Sequence, residues 1–206
     1  MESLLSFHGD PKVKEKYLGR LKAHAEADEL IKGKYWQEGK GCAVGCTIHS
    51  DDHQAYETEM GLPKWLARLN DTLFEGLPNG EAKEFAVKFL EVIPVGVNLD
   101  PVRWKFCAFI LKENIERVLL LKISDDLKKT VVDAIQGVLT LHEKAVQTGE
   151  WNESAAWAAA RSAARSAESA ARSAARSAAR SARSAAWSDF WQSVAVTLLK
   201  LLEKAR

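Results

Sequence analysis

The sequence predicts an all-α protein, a compact bundle of about seven or eight helices. Apolar residues recur at helical spacing through most of the 206 residues, and helix-start signals precede these stretches. We find no convincing alternation of apolar and polar residues; the run Val92 to Val97 is weakly strand-like, and Pro94 interrupts it. With 47% hydrophobic and 28% charged residues, the composition excludes wholesale disorder.

Most of the predicted helices begin at a recognisable signal. A capping aspartate precedes a proline at Asp10-Pro11 and again at Asp100-Pro101, and Ser124 caps a further helix. Ser50-Asp51-Asp52 could cap another helix that ends at Gly61. The helices predicted in this way cover residues 11–32, 51–61, 63–77, 81–92, 101–123 and 125–149.

The last quarter of the chain contains an alanine-rich segment. Between Ser154 and Trp187 it holds 17 Ala, 8 Ser and 6 Arg, without Gly or Pro, which favours one long helix. Projected on a helix, the alanines form one face that we expect to pack against another helix. The arginines form a stripe that either binds phosphates or is solvated and paired internally, and it comprises Arg161, Arg165, Arg172, Arg176 and Arg183.

We predict a single domain over residues 1–206. It divides into mixed-sequence helices (1–150), the alanine-rich helix (151–188) and an amphipathic C-terminal helix (189–206), with a break near Ser188-Asp189. The net charge is +1, which does not favour nucleic acid as the partner. No apolar run is long enough for a bilayer and no secretory signal is evident, so we expect a cytoplasmic protein without a membrane partner. Three cysteines fit a reducing compartment, and all three are predicted to be free thiols.

Two stretches resemble a group of known proteins. GEWNESAAWAAARSAARSA, at 149–167, is similar to the alanine-rich tails of small bacterial and phage helical proteins, some described as immunity proteins of toxin systems. HAEADELIKGKYWQEGKGCAVGCTIHSDDHQAYE, at 24–57, resembles a block found in uncharacterised bacterial and phage proteins with such tails. The resemblance implies a role in toxin immunity or in defence and anti-defence, and it implies no catalytic residue.

The stretch from 24 to 57 concentrates the residues that could do chemistry. Cys42, Cys46, His49 and His53 are ligand types of a structural zinc site, although a usual finger separates the two pairs by about a dozen residues and this sequence by two. A second metal site would need one helix through His49, His53 and Glu57, which would then share a face.

His24 and Asp28 could complete that second site from another helix. The resulting mixed histidine and carboxylate set would suit a divalent metal that activates water, with His49, His53 and Glu57 as candidate catalytic residues. In the alternative interpretation a helix starts at Ser50, so that His49 lies outside it and the remaining side chains are ordinary exposed polar groups.

The segment GKGCAVGC, at 39–46, is rich in small residues. Its backbone N–H groups could hold an anion, with Lys40 adding positive charge near Gly41 and Gly45; alternatively, its small face packs against another helix. Three aromatic residues flank it and could stack on a nucleotide base or serve as core residues. They are Tyr35, Trp36 and Tyr56.

Two functions therefore follow from the sequence. The first is a binding protein of bacterial or phage origin, with a pocket around 24–57 for a small phosphorylated, nucleotide-like ligand or for a partner protein. The second is a metal-dependent hydrolase of a phosphate- or nucleotide-containing substrate. The sequence leaves the enzyme question open and is compatible with an oligomer.

Overall fold

The structure is a computed structural model that describes residues 4–159, 161–162, 165 and 183–205. It confirms the all-α class, since helices dominate and the described residues contain one sheet of two short strands. Most of the predicted alanine face lies outside the described residues, as do Arg172 and Arg176 of the arginine stripe. No helix in the described part of the chain combines the length and apolar character needed to cross a membrane.

The elements follow one another along the chain, beginning with a short 3-10 helix, Ser6–Gly9. They are α1 (Pro11–Glu26), β1 (Trp36–Gln37), β2 (Lys40–Gly41), α2 (Ala43–Ile48), α3 (Ala55–Met60), α4 (Lys64–Gly76), α5 (Asn79–Val92), α6 (Asp100–Leu120), α7 (Asp125–Thr148) and α8 (Arg183–Glu203). Residues 153–159 are also helical. The predictions for α4 to α7 agree with the observed bounds to within three residues at each end.

The chain divides into two compact units. The first comprises Met1–Asp100 with Ser184–Arg206, and the second comprises Pro101–Arg183. In the first unit α1 packs on α2 and α5, and α4 packs on α2 and α5. Large side chains of this unit are fully buried, among them Phe7, Tyr17, Tyr56, Phe74 and Phe89. The single domain over residues 1–206 stays a prediction.

Helix α1 begins as predicted and ends earlier than predicted. The Asp10 carboxylate accepts a hydrogen bond from the N–H of Lys12 at 2.9 Å, and Pro11 occupies the first helical position. The helix ends at Glu26 rather than near Lys32, because Asp28 turns the backbone into the left-handed region (φ 57°). The chain then runs beside β2, where Leu30 forms a parallel bridge with Gly41.

The segment between α1 and α4 differs most from the prediction. Residues Glu38 and Gly39 both have positive φ (53° and 82°), which makes a two-residue turn between β1 and β2. Strands of two residues leave no alternation to detect, so the hairpin was not predicted. Helix α2 was also missed, and the helix predicted over 51–61 begins only at Ala55.

The break predicted near Ser188-Asp189 is wrong, because α8 is continuous from Arg183 to Glu203. Serine and aspartate lower helix propensity by only a fraction of a kcal/mol, and neither Gly nor Pro is present to end the helix. Later in α8, Val194, Leu198 and Leu202 are buried at four-residue spacing, which anchors the helix in the first unit.

The second unit contains α6 and α7. The buried residues of each helix lie in the half remote from the connection between them: Val102, Phe106 and Ala108 on α6, and Leu139, His142 and Ala145 on α7. An ion pair joins the two helices, with Lys112 Nζ 2.8 Å from the Glu143 carboxylate. The ring of Trp151 packs on His142 with ring centroids 4.6 Å apart.

Candidate functional site

The candidate site forms where the end of α1 meets the hairpin and the end of α2. His24 lies in the last turn of α1, and Trp36 is the first residue of β1. His49 ends α2 in the left-handed conformation (φ 56°), which directs the chain away from the helix axis. These three side chains, distant in sequence, form one aromatic cluster on the surface of the first unit.

The two histidines are in direct contact. Nε2 of His24 lies 2.8 Å from Nε2 of His49, and Nδ1 of His24 lies 2.5 Å from the carboxylate of Glu29. Since a carboxylate only accepts, the partners assign Nδ1–H of His24 as the donor to Glu29. Nε2 of His24 is then an acceptor, and His49 donates its Nε2–H. The result is a chain of hydrogen bonds from His49 through His24 to Glu29.

Trp36 and Arg20 complete the cluster. The indole of Trp36 stacks on His49, with centroids 4.3 Å apart and planes 13° from parallel, and lies edge-on to His24 at 5.4 Å. The Arg20 guanidinium donates to the carbonyl of Thr47 near the end of α2, at 3.0 Å. Burial lowers the pKa of His49, and the nearby Arg20 and His24 lower it further. The site thus places three groups that can carry positive charge side by side.

The glycine-rich segment favours the packing interpretation. A Cβ at Gly45 would lie 1.4 Å from the carbonyl oxygen of Tyr35, and one at Gly41 would lie 1.9 Å from it, so both glycines permit close approach of the backbone at 35–36. The backbone at residues 35–36, and not another helix, therefore packs against these two glycines. The N–H groups of Gly41, Cys42 and Gly45 are donated to protein acceptors, while Lys40 is exposed on β2.

The cysteines of that segment are free thiols in the interior. Burial raises the pKa of Cys42 and of Cys46 to about 12, so both are protonated at neutral pH. Cys42 Sγ accepts from the N–H of Gly45, which caps α2, and the Cys46 thiol lies 3.4 Å from the Gly41 carbonyl. Among the described residues, neither thiol belongs to a group of three or more potential ligands that could hold a metal ion.

No helix runs through His49, His53 and Glu57, as the second metal site would need, because α2 ends before His49 and α3 begins after His53. His53 packs edge-on against the ring of Tyr35 at 5.3 Å, and its buried Nε2 has no hydrogen-bond partner among the described residues. Glu57 accepts from the N–H of Lys64 at 2.8 Å, at the start of α4.

Asp28 was expected beside His24 as a metal ligand. Its carboxylate instead pairs with Lys83 of α5 and is 81% exposed. Across the described ranges, no group of three or more His, Cys, Asp or Glu side chains is arranged to hold a metal ion. Of the proposed metal ligands, His24 and His49 contact each other. Asp28, His53 and Glu57 each contact other residues instead.

The two flanking tyrosines differ in accessibility. Tyr56 is fully buried and accepts from the Asn70 amide at 3.1 Å, so its ring has no face for a ligand. Tyr35 is 43% exposed and borders a cavity of about 220 Å³ that also includes Asp71 and Glu75. The negative charge of Asp71, burial and a hydrogen bond to Asp71 raise the pKa of the Tyr35 hydroxyl.

Sequence reasoning missed Arg20 and assigned no role to Glu29. The four-residue spacing of Arg20 and His24 places both on one face of α1, which is a signal that the sequence contains. No spacing pattern in the sequence pairs Glu29 with His24. The turn at Asp28 brings the two side chains together. No protein-family model, curated protein or solved structure matches this chain.

Proposed function

We propose that this is a binding protein whose ligand is a small phosphorylated, nucleotide-like molecule. The ligand is held where Arg20, His24, His49 and Trp36 meet, and we call these four residues the histidine face. The observation that supports this proposal is that two histidines contact one indole ring, with Arg20 close enough to His49 to lower its pKa.

The electrostatics of the histidine face favour an anion. Burial lowers the pKa of His49, and repulsion by Arg20 and His24 lowers it further. A phosphoryl group beside Arg20 and His49 would accept charge-assisted hydrogen bonds from both and would compensate this repulsion. Glu29 lies at Nδ1 of His24, on the side of the ring opposite the Nε2 that contacts His49.

Aromatic groups next to the cations suit a nucleotide. Trp36 is half-buried, and Tyr35 beside it is exposed. Rings at the edge of a cationic patch provide stacking surface for a base, and stacking typically contributes about 1–3 kcal/mol per base.

The biological setting of the proposal comes from the resemblance of 24–57 and 149–167 to bacterial and phage proteins. It supports a role in toxin immunity or in defence and anti-defence, with the protein acting in the cytoplasm. In such a role the ligand-bound histidine face could also serve as the surface that a partner protein recognises.

Titration with inorganic phosphate and with adenosine monophosphate tests the proposal. We expect saturable binding by calorimetry, and a rise of the His49 pKa by NMR, because a bound anion stabilises the imidazolium. Arg20→Gln and His49→Gln are each expected to weaken binding about tenfold, the loss of one charge-assisted hydrogen bond.

Arg68→Gln is the matched control, since Arg68 is exposed on α4 and takes no part in the histidine face. It should bind like the parent chain. Saturable binding that is equally strong in the Arg20 and His49 variants would place the ligand elsewhere. Absence of binding to both probes at millimolar concentration would contradict the proposal.

A metal-dependent hydrolase is the second candidate, and one observation favours it. Glu29 holds Nδ1 of His24, as carboxylates hold metal-binding imidazoles, and this leaves Nε2 directed at His49. A divalent ion would have to replace the contact between the two rings and take its remaining ligands from water or substrate.

Zinc and manganese titration of the purified chain distinguishes the two functions. The hydrolase predicts one equivalent of bound metal that is lost in His24→Ala, together with metal-dependent cleavage of p-nitrophenyl phosphate. Phosphate binding that needs no metal and survives a chelator supports the binding protein.

A further inference from the structure

Half of the α6–α7 pair lacks a buried core. The tip of the pair, residues 109–138, comprises the second half of α6, the connection and the first half of α7. None of its residues is buried, although half of them are apolar. Helices with this proportion of apolar residues normally bury one face against a neighbour.

The connection exposes three consecutive leucines. Leu119, Leu120 and Leu121 are 48%, 82% and 50% exposed. Isolated surface leucines are common, but a contiguous apolar patch at the end of two long helices marks an interaction surface. The half-exposed side chains that extend the patch are Ile115, Val118, Ile123, Leu127 and Val131.

We propose that the tip, residues 109–138, joins two copies of this chain. In a twofold pair a surface meets itself, so an excess of one charge would repel the second copy. The tip has no such excess, since five basic and five acidic side chains balance. They are Lys112, Arg117, Lys122, Lys128 and Lys129, and Glu113, Glu116, Asp125, Asp126 and Asp133.

The charge balance favours a second copy over a strongly acidic or basic partner, which would select a surface of opposite net charge. The tip portions of α6 and α7 are roughly 18 and 21 Å long at about 1.5 Å per residue. Two helix pairs of this length form a four-helix arrangement whose core consists of the leucines and the half-exposed aliphatic residues.

Light scattering of the full chain after size-exclusion chromatography tests the dimer. Over about a hundredfold range of concentration we expect a mass that approaches twice that of one chain. Leu120→Glu places a charge in the apolar centre and should weaken association by at least about tenfold. Gln147→Glu adds the same charge at an exposed position of α7 outside the tip and should leave the dimer intact.

A second variant reports on proximity without disturbing the leucines. Lys122→Cys should be joined to its copy by a short bismaleimide, and adding Leu120→Glu should abolish this cross-link. A chain that is monomeric at every concentration overturns the proposal, and so does a dimer that Leu120→Glu leaves unchanged. Loss of helical circular dichroism in Leu120→Glu would also overturn it, because the leucine would then be covered within one chain.

Discussion

The Nε2 atoms of His24 and His49 lie 2.8 Å apart, so the two rings share one proton in their contact. If both rings were imidazolium, both nitrogen atoms would be donors and the contact would become repulsive. The pair therefore tolerates at most one positive charge in this geometry. The contact between the two rings, and with it the geometry of the histidine face, should therefore depend on pH.

The free energy of unfolding should depend on pH through His49. Its folded-state pKa is lowered below the ordinary 6.5, so the unfolded chain takes up the proton first as the pH falls. Stability from this group is complete above pH 6.5 and decreases as the pH drops from there to the lowered pKa. Urea unfolding at a series of pH values measures this, and His49→Gln should reduce the slope. An unchanged slope in the variant would contradict the contact.

The close approach of Tyr35 to Gly45 predicts a large effect of a single methyl group. Gly45→Ala would bring Cβ to 1.4 Å from a backbone oxygen, so the hairpin must move, and we expect a loss of about 3 kcal/mol or more in unfolding free energy. Gly137→Ala is the matched control, since it is also helical and has open space around it. It should stabilise by about 0.5–1 kcal/mol through helix propensity. Equal effects of the two changes would refute the packing of the hairpin.

Glu57 should act as a cap and not as a catalytic group. Its carboxylate accepts from the N–H of Lys64 at the start of α4, so Glu57→Ala should cost about 1 kcal/mol of unfolding free energy. Glu57→Gln keeps an acceptor and should cost less, whereas Glu84→Ala, at an exposed position of α5, should be nearly neutral. Denaturation midpoints of the three variants give the comparison. A loss of ligand binding in Glu57→Gln without loss of stability would instead support a functional role.

The three cysteines should resist modification in the folded chain. Burial raises the pKa of Cys42 and Cys46 to about 12 and also raises that of Cys107, so little thiolate is present at pH 8. Reaction with a disulfide reagent should be slow in buffer and should reach three thiols per chain only in denaturant. Rapid labelling of Cys42 or Cys46 in buffer would mean that the segment 39–46 opens readily.

What the sequence by itself determined is the set of long helices. Capping residues and apolar spacing are local properties, and they placed α4 to α7 correctly because both signals lie within each helix or directly next to it. The start of α1 at Asp10-Pro11 is equally local. The short elements between α1 and α4 contain too few residues for a period, so their positions depend on packing.

Only the tertiary structure decided which of the candidate residues meet. His24 and His49 come together because Asp28 and His49 both leave the right-handed region, and neither backbone angle is encoded by residue spacing. The same folding buries Tyr56. The sequence left open whether Gly45 serves an anion site or close packing. The approach of the backbone at Tyr35 accounts for a glycine there through packing. Helices are stabilised by contacts a few residues apart, whereas the histidine face depends on contacts between residues 12 to 27 positions apart, which are selected by the packing of the whole unit.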